Sequence, residues 1–302
     1  MPTWVFEAGV APLAAALAFH HARRALGAGR AAGELLALAA YGFTVEAVAM
    51  AVFATHAYDS SWHASALGVP LAIAVVWAAV ITSAMAVAGR HESTRGWRAF
   101  TAAVVAIALD LMIDPVATRA GLWDWTPPGP WLGVPIGNFV AWGLIVGAYA
   151  YGAERWAGTG SIAIQAVRRI ALAAGCIVFL VLVAAAWTSL GLERAFEGGR
   201  GWAVWAAVLL ATVWRVGWRR ADREAACTFV ASPGAEHSLP ARLAATPGLG
   251  PEASLGVVAL AFAVDAVRIA EAGVTAAAAG SLVAIAVVAT RVPRPSGTAS
   301  SG

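Results

Sequence analysis

The sequence predicts an all-α fold, a polytopic transmembrane helix bundle of about 8–9 spans with its N-terminus outside and its C-terminus cytoplasmic. Three observations carry that prediction. The 302 residues are 60% hydrophobic and 12% charged, with a mean hydropathy of +0.74, a composition that soluble domains rarely have. Apolar stretches long enough to cross a hydrocarbon core of roughly 30 Å recur along the whole chain. Basic residues cluster on alternate connections between those stretches.

The predicted spans are 5–22, 34–57, 66–89, 97–116, 132–152, 168–190, 201–218, 254–270 and 273–291. The start, MPTWVFEAGV, has no basic region before its apolar run, so it does not read as a cleavable signal peptide and the first span is expected to be retained. Residues 1–292 read as one integral membrane domain, with 219–253, rich in Ala, Pro, Gly and charge, as a mobile cytoplasmic loop within it. Residues 293–302 read as a disordered tail.

All 20 basic residues are arginine, and 16 of them fall on connections of one parity, leaving Arg119, Arg194, Arg200 and Arg268 on the other. The positive-inside rule makes the richer side cytoplasmic and turns the WDWTPPGP loop outward. The basic pI near 9.3 then reflects topology rather than nucleic-acid binding. Without lysine there is no amine for a retinal Schiff base, which excludes a conventional opsin.

Cys176 and Cys227 fall in a span and a loop and suggest neither a disulfide nor a thiolate metal site. His20 and His21 are adjacent, His56 and His63 flank an outer loop, and His91 and His237 stand alone. That is not the clustered histidine set of a membrane di-iron enzyme, so no metal centre is expected. GAGRAAG at 27–33 reads as a cytoplasmic turn rather than a dinucleotide loop, because it follows a membrane span and not a strand.

The informative stretch is 109–142, LDLMIDPVATRAGLWDWTPPGPWLGVPIGNFVAW. Asp110 and Asp114 are four residues apart and share one helix face inside an apolar span, where an ionised carboxylate is costly. Glu46 lies near the middle of the second span. For Asp265 the plain reading is a pair with Arg268 one turn along, and Asp114, before Pro115, could simply close a helix end. Glu46 and Asp110 have no cation near in sequence, so each reads as a buried acid kept neutral and ready to donate a proton. Aromatic residues gather around them: Trp77 is mid-span, Trp142 lies one turn beyond Asn138, and Tyr58, Trp123 and Trp125 belong to the outer loops. A protonating acid beside aromatic walls is equipment for carbocation chemistry.

Glu46 in YGFTVEAVAM, GVPLAIAVVW ending at Trp77, the Asp110 and Asp114 helix, the GLWDW loop, and GVPIGNFVAW with Asn138 and Trp142 together resemble the membrane-integral carotenoid biosynthesis family. Its characterised members are carotenoid hydratases of the bisanhydrobacterioruberin hydratase and gamma-carotene 1'-hydroxylase type. The resemblance is clearest over residues 40–152 and weak beyond 190. It implies a cofactor-independent hydro-lyase of the cell membrane that adds water across the terminal C=C bond of an acyclic carotenoid, giving a tertiary alcohol. Its partners would be the substrate, the lipid bilayer and other carotenoid biosynthesis enzymes, with no nucleic acid. Asp110, Glu46 and Asp114 are then the candidate catalytic groups, and Trp77, Asn138, Trp142, Trp123, Trp125 and Tyr58 the candidate substrate-binding ones. Such a site requires Glu46 and Asp110 to face a common cavity. Two other classes compete: a membrane prenyltransferase, with the aspartates holding magnesium and diphosphate, and a non-catalytic carotenoid-binding or transport protein using the acids as a proton relay.

Overall fold

The computed structural model describes residues 1–91, 94–155, 162–196, 250–269 and 271–290, with isolated positions between 197 and 249. Over these residues the chain is an all-α bundle of eight long helices: α1 (Thr3–Leu26), α2 (Ala28–Phe53), α3 (Leu71–His91), α4 (Arg95–Arg119), α5 (Ile136–Arg155), α6 (Ile162–Ser189), α7 (Gly250–Ile269) and α8 (Ala272–Thr290). The first six contain stretches long and apolar enough to cross a membrane, and the chain is a membrane protein. Two short antiparallel strand pairs decorate one end: β1 (His56–Tyr58) with β4 (Trp123–Trp125), and β2 (Ser65–Ala66) with β3 (Val69–Pro70).

Local chemistry sets the boundaries. Between α1 and α2 the chain reverses at Gly27 alone, with φ +84, a conformation that costs a residue without Cβ little. The second span therefore starts at Ala28 rather than residue 34, and Gly29 and Gly33 are helical instead of belonging to an open turn. At its other end α2 finishes in a π-helical turn, Ala49–Phe53, and stops at Ala54 in the left-handed region, so residues 54–57 leave the predicted span for strand β1. The third span loses residues 66–70 to a tight hairpin, where Leu67 and Gly68 both have positive φ, as a two-residue turn between strands requires.

Pro115 does not end α4, which continues to Arg119. A proline inside a helix leaves the carbonyl four residues earlier without its donor. Here that carbonyl belongs to Leu111, and the buried indole N–H of Trp131 donates to it at 3.2 Å. The fifth span starts at Ile136 rather than 132, because residues 129–134 close on themselves through the Gly129–Gly133 and Trp131–Val134 bridges. The predicted seventh span, 201–218, lies almost wholly outside the described residues, and the tail 293–302 entirely so.

Helices α3 and α4 form the middle of the bundle, with 89% and 83% of their membrane-length windows buried against 6% for α6. Helix α3 packs on α1, α2, α4 and α7, and α4 also packs on α5 and α8. Burying apolar faces this way leaves the edge helix α6 with an apolar surface, including Ile170, Val178 and Leu182.

The bundle has two chemically different ends. At the turn end, near Gly27, Arg90 pairs with Glu252, Arg169 with Glu34, and Arg242 donates to the Ala25 carbonyl at 2.8 Å. His21 Nε2 and the Leu243 carbonyl are 2.8 Å apart. The described part of the predicted mobile loop is thus docked, since Leu243 is buried and Arg242 and Thr246 bond to the helix ends. At the opposite, loop end, the carboxylate of Glu7 accepts from the backbone of His63 and Ala64 at 3.0 Å each and contacts the His63 ring. Asp265 meets Arg268 at 3.6 Å as expected, and also the Met1 amino group. Arg119 and Glu271 pair at the same end.

Candidate active site

A cavity of about 1020 Å³ opens below the strand pair, between α2, α3, α4, α5 and α6. Its volume lies at the upper end of the range for small-molecule pockets, roughly 300–1,000 Å³. Two polar groups of side chains face it from different helices.

The first centres on Glu46, just under two turns before the end of α2. Trp77 Nε1 donates to its Oε1 at 2.7 Å, and His56 Nε2 lies 3.0 Å from its Oε2. His56 reaches back from β1, where pairing with β4 sets His56 opposite Trp125 and Tyr58 opposite Trp123. Its other ring nitrogen is 3.1 Å from Thr55 Oγ1, and its ring packs on Trp125 and Tyr58 with centroids 5.0 and 5.3 Å away. Burial, followed by the negative charge of Glu46, pushes the Tyr58 phenol well above its ordinary range, so it stays a hydroxyl facing that carboxylate.

The approach of α3 to α2 depends on one residue. A Cβ on Gly42 would lie 2.4 Å from the Trp77 Cβ, so only glycine lets Trp77 pack there one turn from Glu46.

The second group centres on Asp114 and Asn138. Asn138 Nδ2 donates to Asp110 Oδ2 at 2.8 Å and also to Asp114 Oδ2, so one amide ties both carboxyls together. The two carboxyls, one turn apart, also interact directly. Neither has an ion-pair partner among the described residues. Asn138 sits in the first turn of α5, whose N-terminal amides are held from outside: Ile136 N and Gly137 N donate to the Glu193 carboxylate at 2.6 and 3.0 Å. A carboxylate at a helix N-terminus satisfies free N–H groups and complements the dipole.

Aromatic faces join the two groups. Trp77 and Trp142 pack with centroids 4.2 Å apart and ring planes 38° apart, and Tyr58, Trp123 and Phe262 continue the wall through further ring contacts. Trp125 Nε1 is buried with no hydrogen-bond partner among the described residues.

The structure therefore brings Glu46, Asp114, Trp77, Asn138, Trp142, Trp123, Trp125 and Tyr58 to one cavity. Asp110 is the correction. It is 0% exposed and sits behind Asn138, so the carboxyl facing Glu46 across the cavity is Asp114. The spacing of four residues that aligns the two aspartates on one helix face leaves the nearer one to the loop end in the wall and the other deeper in the packing. Sequence reasoning missed two further groups. His56 was read as a loop histidine, and its signal is the short HAY strand that folds it back over the end of α2. Glu193, in a short 3-10 turn after α6, gave no signal beyond a lone acid near Trp187.

No curated protein and no solved structure matches this chain. A family model described as carotenoid biosynthesis protein matches residues 6–195, well over half of the chain and every cavity-lining residue apart from Val258 and Phe262. The chain belongs to the carotenoid biosynthesis protein family.

Proposed function

We propose that the protein is a carotenoid hydratase, adding water across the terminal C=C bond of an acyclic carotenoid end group. The observation that carries the reading is the cavity in which Glu46 and Asp114, neither paired with an arginine among the described residues, meet two closely packed indoles. Side-by-side carboxylates in an apolar setting repel, and a proton held between Asp110 and Asp114 removes that cost. In this reading Asp114 delivers the proton to the less substituted alkene carbon, with Asp110 and Asn138 holding the pair in place. The π electrons form the new C–H bond and leave a tertiary cation, which the faces of Trp77 and Trp142 stabilise. Water adds through its oxygen to that cation and loses a proton to the Glu46–His56 pair, giving the tertiary alcohol. The proton returns through water to the aspartates, so the sum is alkene plus water. The unpaired Trp125 N–H is a donor available to the water or the product hydroxyl.

Orientation follows the arginines. The turn end, with Arg23, Arg24, Arg90 and Arg242, faces the cytoplasm in the cell membrane, and the loop end with the cavity faces outward. Substrate reaches the protein from the bilayer and from the enzymes that make acyclic carotenoids.

The test is expression in cells that accumulate lycopene. The expected result is a polar pigment heavier by one or two waters. Unchanged lycopene, bound to the purified protein, would instead favour the binding or transport reading.

A further inference from the structure

The seam between α2 and α6 is clasped over one half and open over the other. Toward the turn end, Arg169 donates to Glu34 and Tyr41 contacts Cys176 across the seam. One turn further along α2 the clasp ends, and Val45, Ala49 and Val52 of α2 face the cavity with Leu180, Val183 and Ala184 of α6. Val52 is both a wall residue and 59% exposed, so the cavity reaches the outer surface of the bundle between these helices. The surface around it is apolar, with Phe179 and Leu182 exposed on α6. The wider π-helical turn that ends α2 lies at the same place, a device common at functional sites.

We infer that the open half of the α2–α6 seam is a lateral portal, through which a linear polyene enters from the bilayer hydrocarbon with its end group leading. An opening at membrane depth lined by aliphatic side chains admits an apolar solute and offers nothing to an ion or a headgroup. An extended polyene has a length on the scale of the hydrocarbon core of roughly 30 Å, so a cavity of about 1020 Å³ takes its end, and the rest must leave through a wall. A stiff conjugated chain cannot turn a corner, and the β1–β4 pair with Trp123 and Trp125 roofs the cavity at the loop end. The α2–α6 seam opens to the side beside Glu46, which lines the same cavity from α2. The occupant rests on the proposed substrate class.

Narrowing the portal tests this without touching the acids. Lycopene binding is read by quenching of tryptophan fluorescence in purified protein in lipid nanodiscs, beside conversion to the hydrated pigment. Ala184→Trp and the milder Ala184→Leu are compared with Val267→Trp, which adds the same bulk on an exposed face of α7 away from the cavity. The expected result is lycopene affinity and conversion at least tenfold lower in Ala184→Trp, a smaller loss in Ala184→Leu, wild-type behaviour in Val267→Trp, and equal melting temperatures. Wild-type binding in both Ala184 variants, or an equal loss in all three, would overturn the portal. Wild-type protein that binds lycopene through this seam but never hydrates it would instead remove the hydratase reading and leave the portal standing.

Discussion

The turn end of the bundle and the cavity treat buried acids in opposite ways. At the turn end Glu34 and Glu252 each meet an arginine, Arg169 and Arg90, whereas in the loop half Glu46 meets an imidazole and an indole, and Asp110 and Asp114 share one amide. A guanidinium fixes a carboxylate as a permanent anion, because arginine does not lose its proton in proteins. Imidazole, indole and amide groups hold an acid in place and leave its proton free to move. Acids of the first kind tie helices together. Those of the second kind are equipped for proton transfer, and two of them, Glu46 and Asp114, face the cavity.

Substitutions that exchange the two behaviours should separate activity from stability. Asp114→Asn keeps the shape and the hydrogen bonding of the wall but removes its proton, so hydration should fall about 10²- to 10⁴-fold with little change in melting temperature. Pigment analysis in lycopene-accumulating cells, normalised to protein level, measures it. Activity within a few-fold of wild type would take Asp114 out of the donor role. Gly42→Ala should come next, because its Cβ would collide with Trp77 and displace the indole from Glu46. A misplacement of about 1 Å at such a site can cost on the order of 10²-fold in rate. A loss of thermal stability without loss of turnover per folded molecule would contradict that account.

At the turn end the prediction reverses. Glu252→Gln should leave a largely buried Arg90 with a weaker partner and lower stability by about 1–3 kcal/mol, seen as a shift in detergent unfolding. Turnover per folded molecule should stay within about twofold, and a hundredfold fall would erase the contrast between the turn end and the cavity. Tyr58→Phe is the smallest effect. It removes one neutral donor facing Glu46 and should slow hydration by a few-fold, equivalent to about 0.5–1.5 kcal/mol.

The described helices were legible from hydropathy, and the shared faces of Asp110 with Asp114 and of Asn138 with Trp142 from a four-residue spacing, because both are local signals. What escaped the sequence depends on contacts between distant segments. The β1–β4 pair joins residues 56 and 125, and no local pattern announces three-residue strands above a helical bundle. His56 follows from that pairing and Glu193 from a cap supplied across 57 residues. Asp110 was placed on the correct face, but only packing decides which of two residues on one face ends in the wall. Pro115 reads as a stop until Trp131 supplies the missing donor from the loop.

The central claim is that water, activated beside Glu46 and His56, supplies the new hydroxyl after Asp114 protonates the alkene. Growing lycopene-accumulating cells with the enzyme in heavy-oxygen water, and in parallel under heavy molecular oxygen, tests it most directly by mass spectrometry of the pigment. The account predicts the heavy label in the hydroxyl only from water. Label arriving from molecular oxygen would mean oxidation rather than hydration and would contradict it.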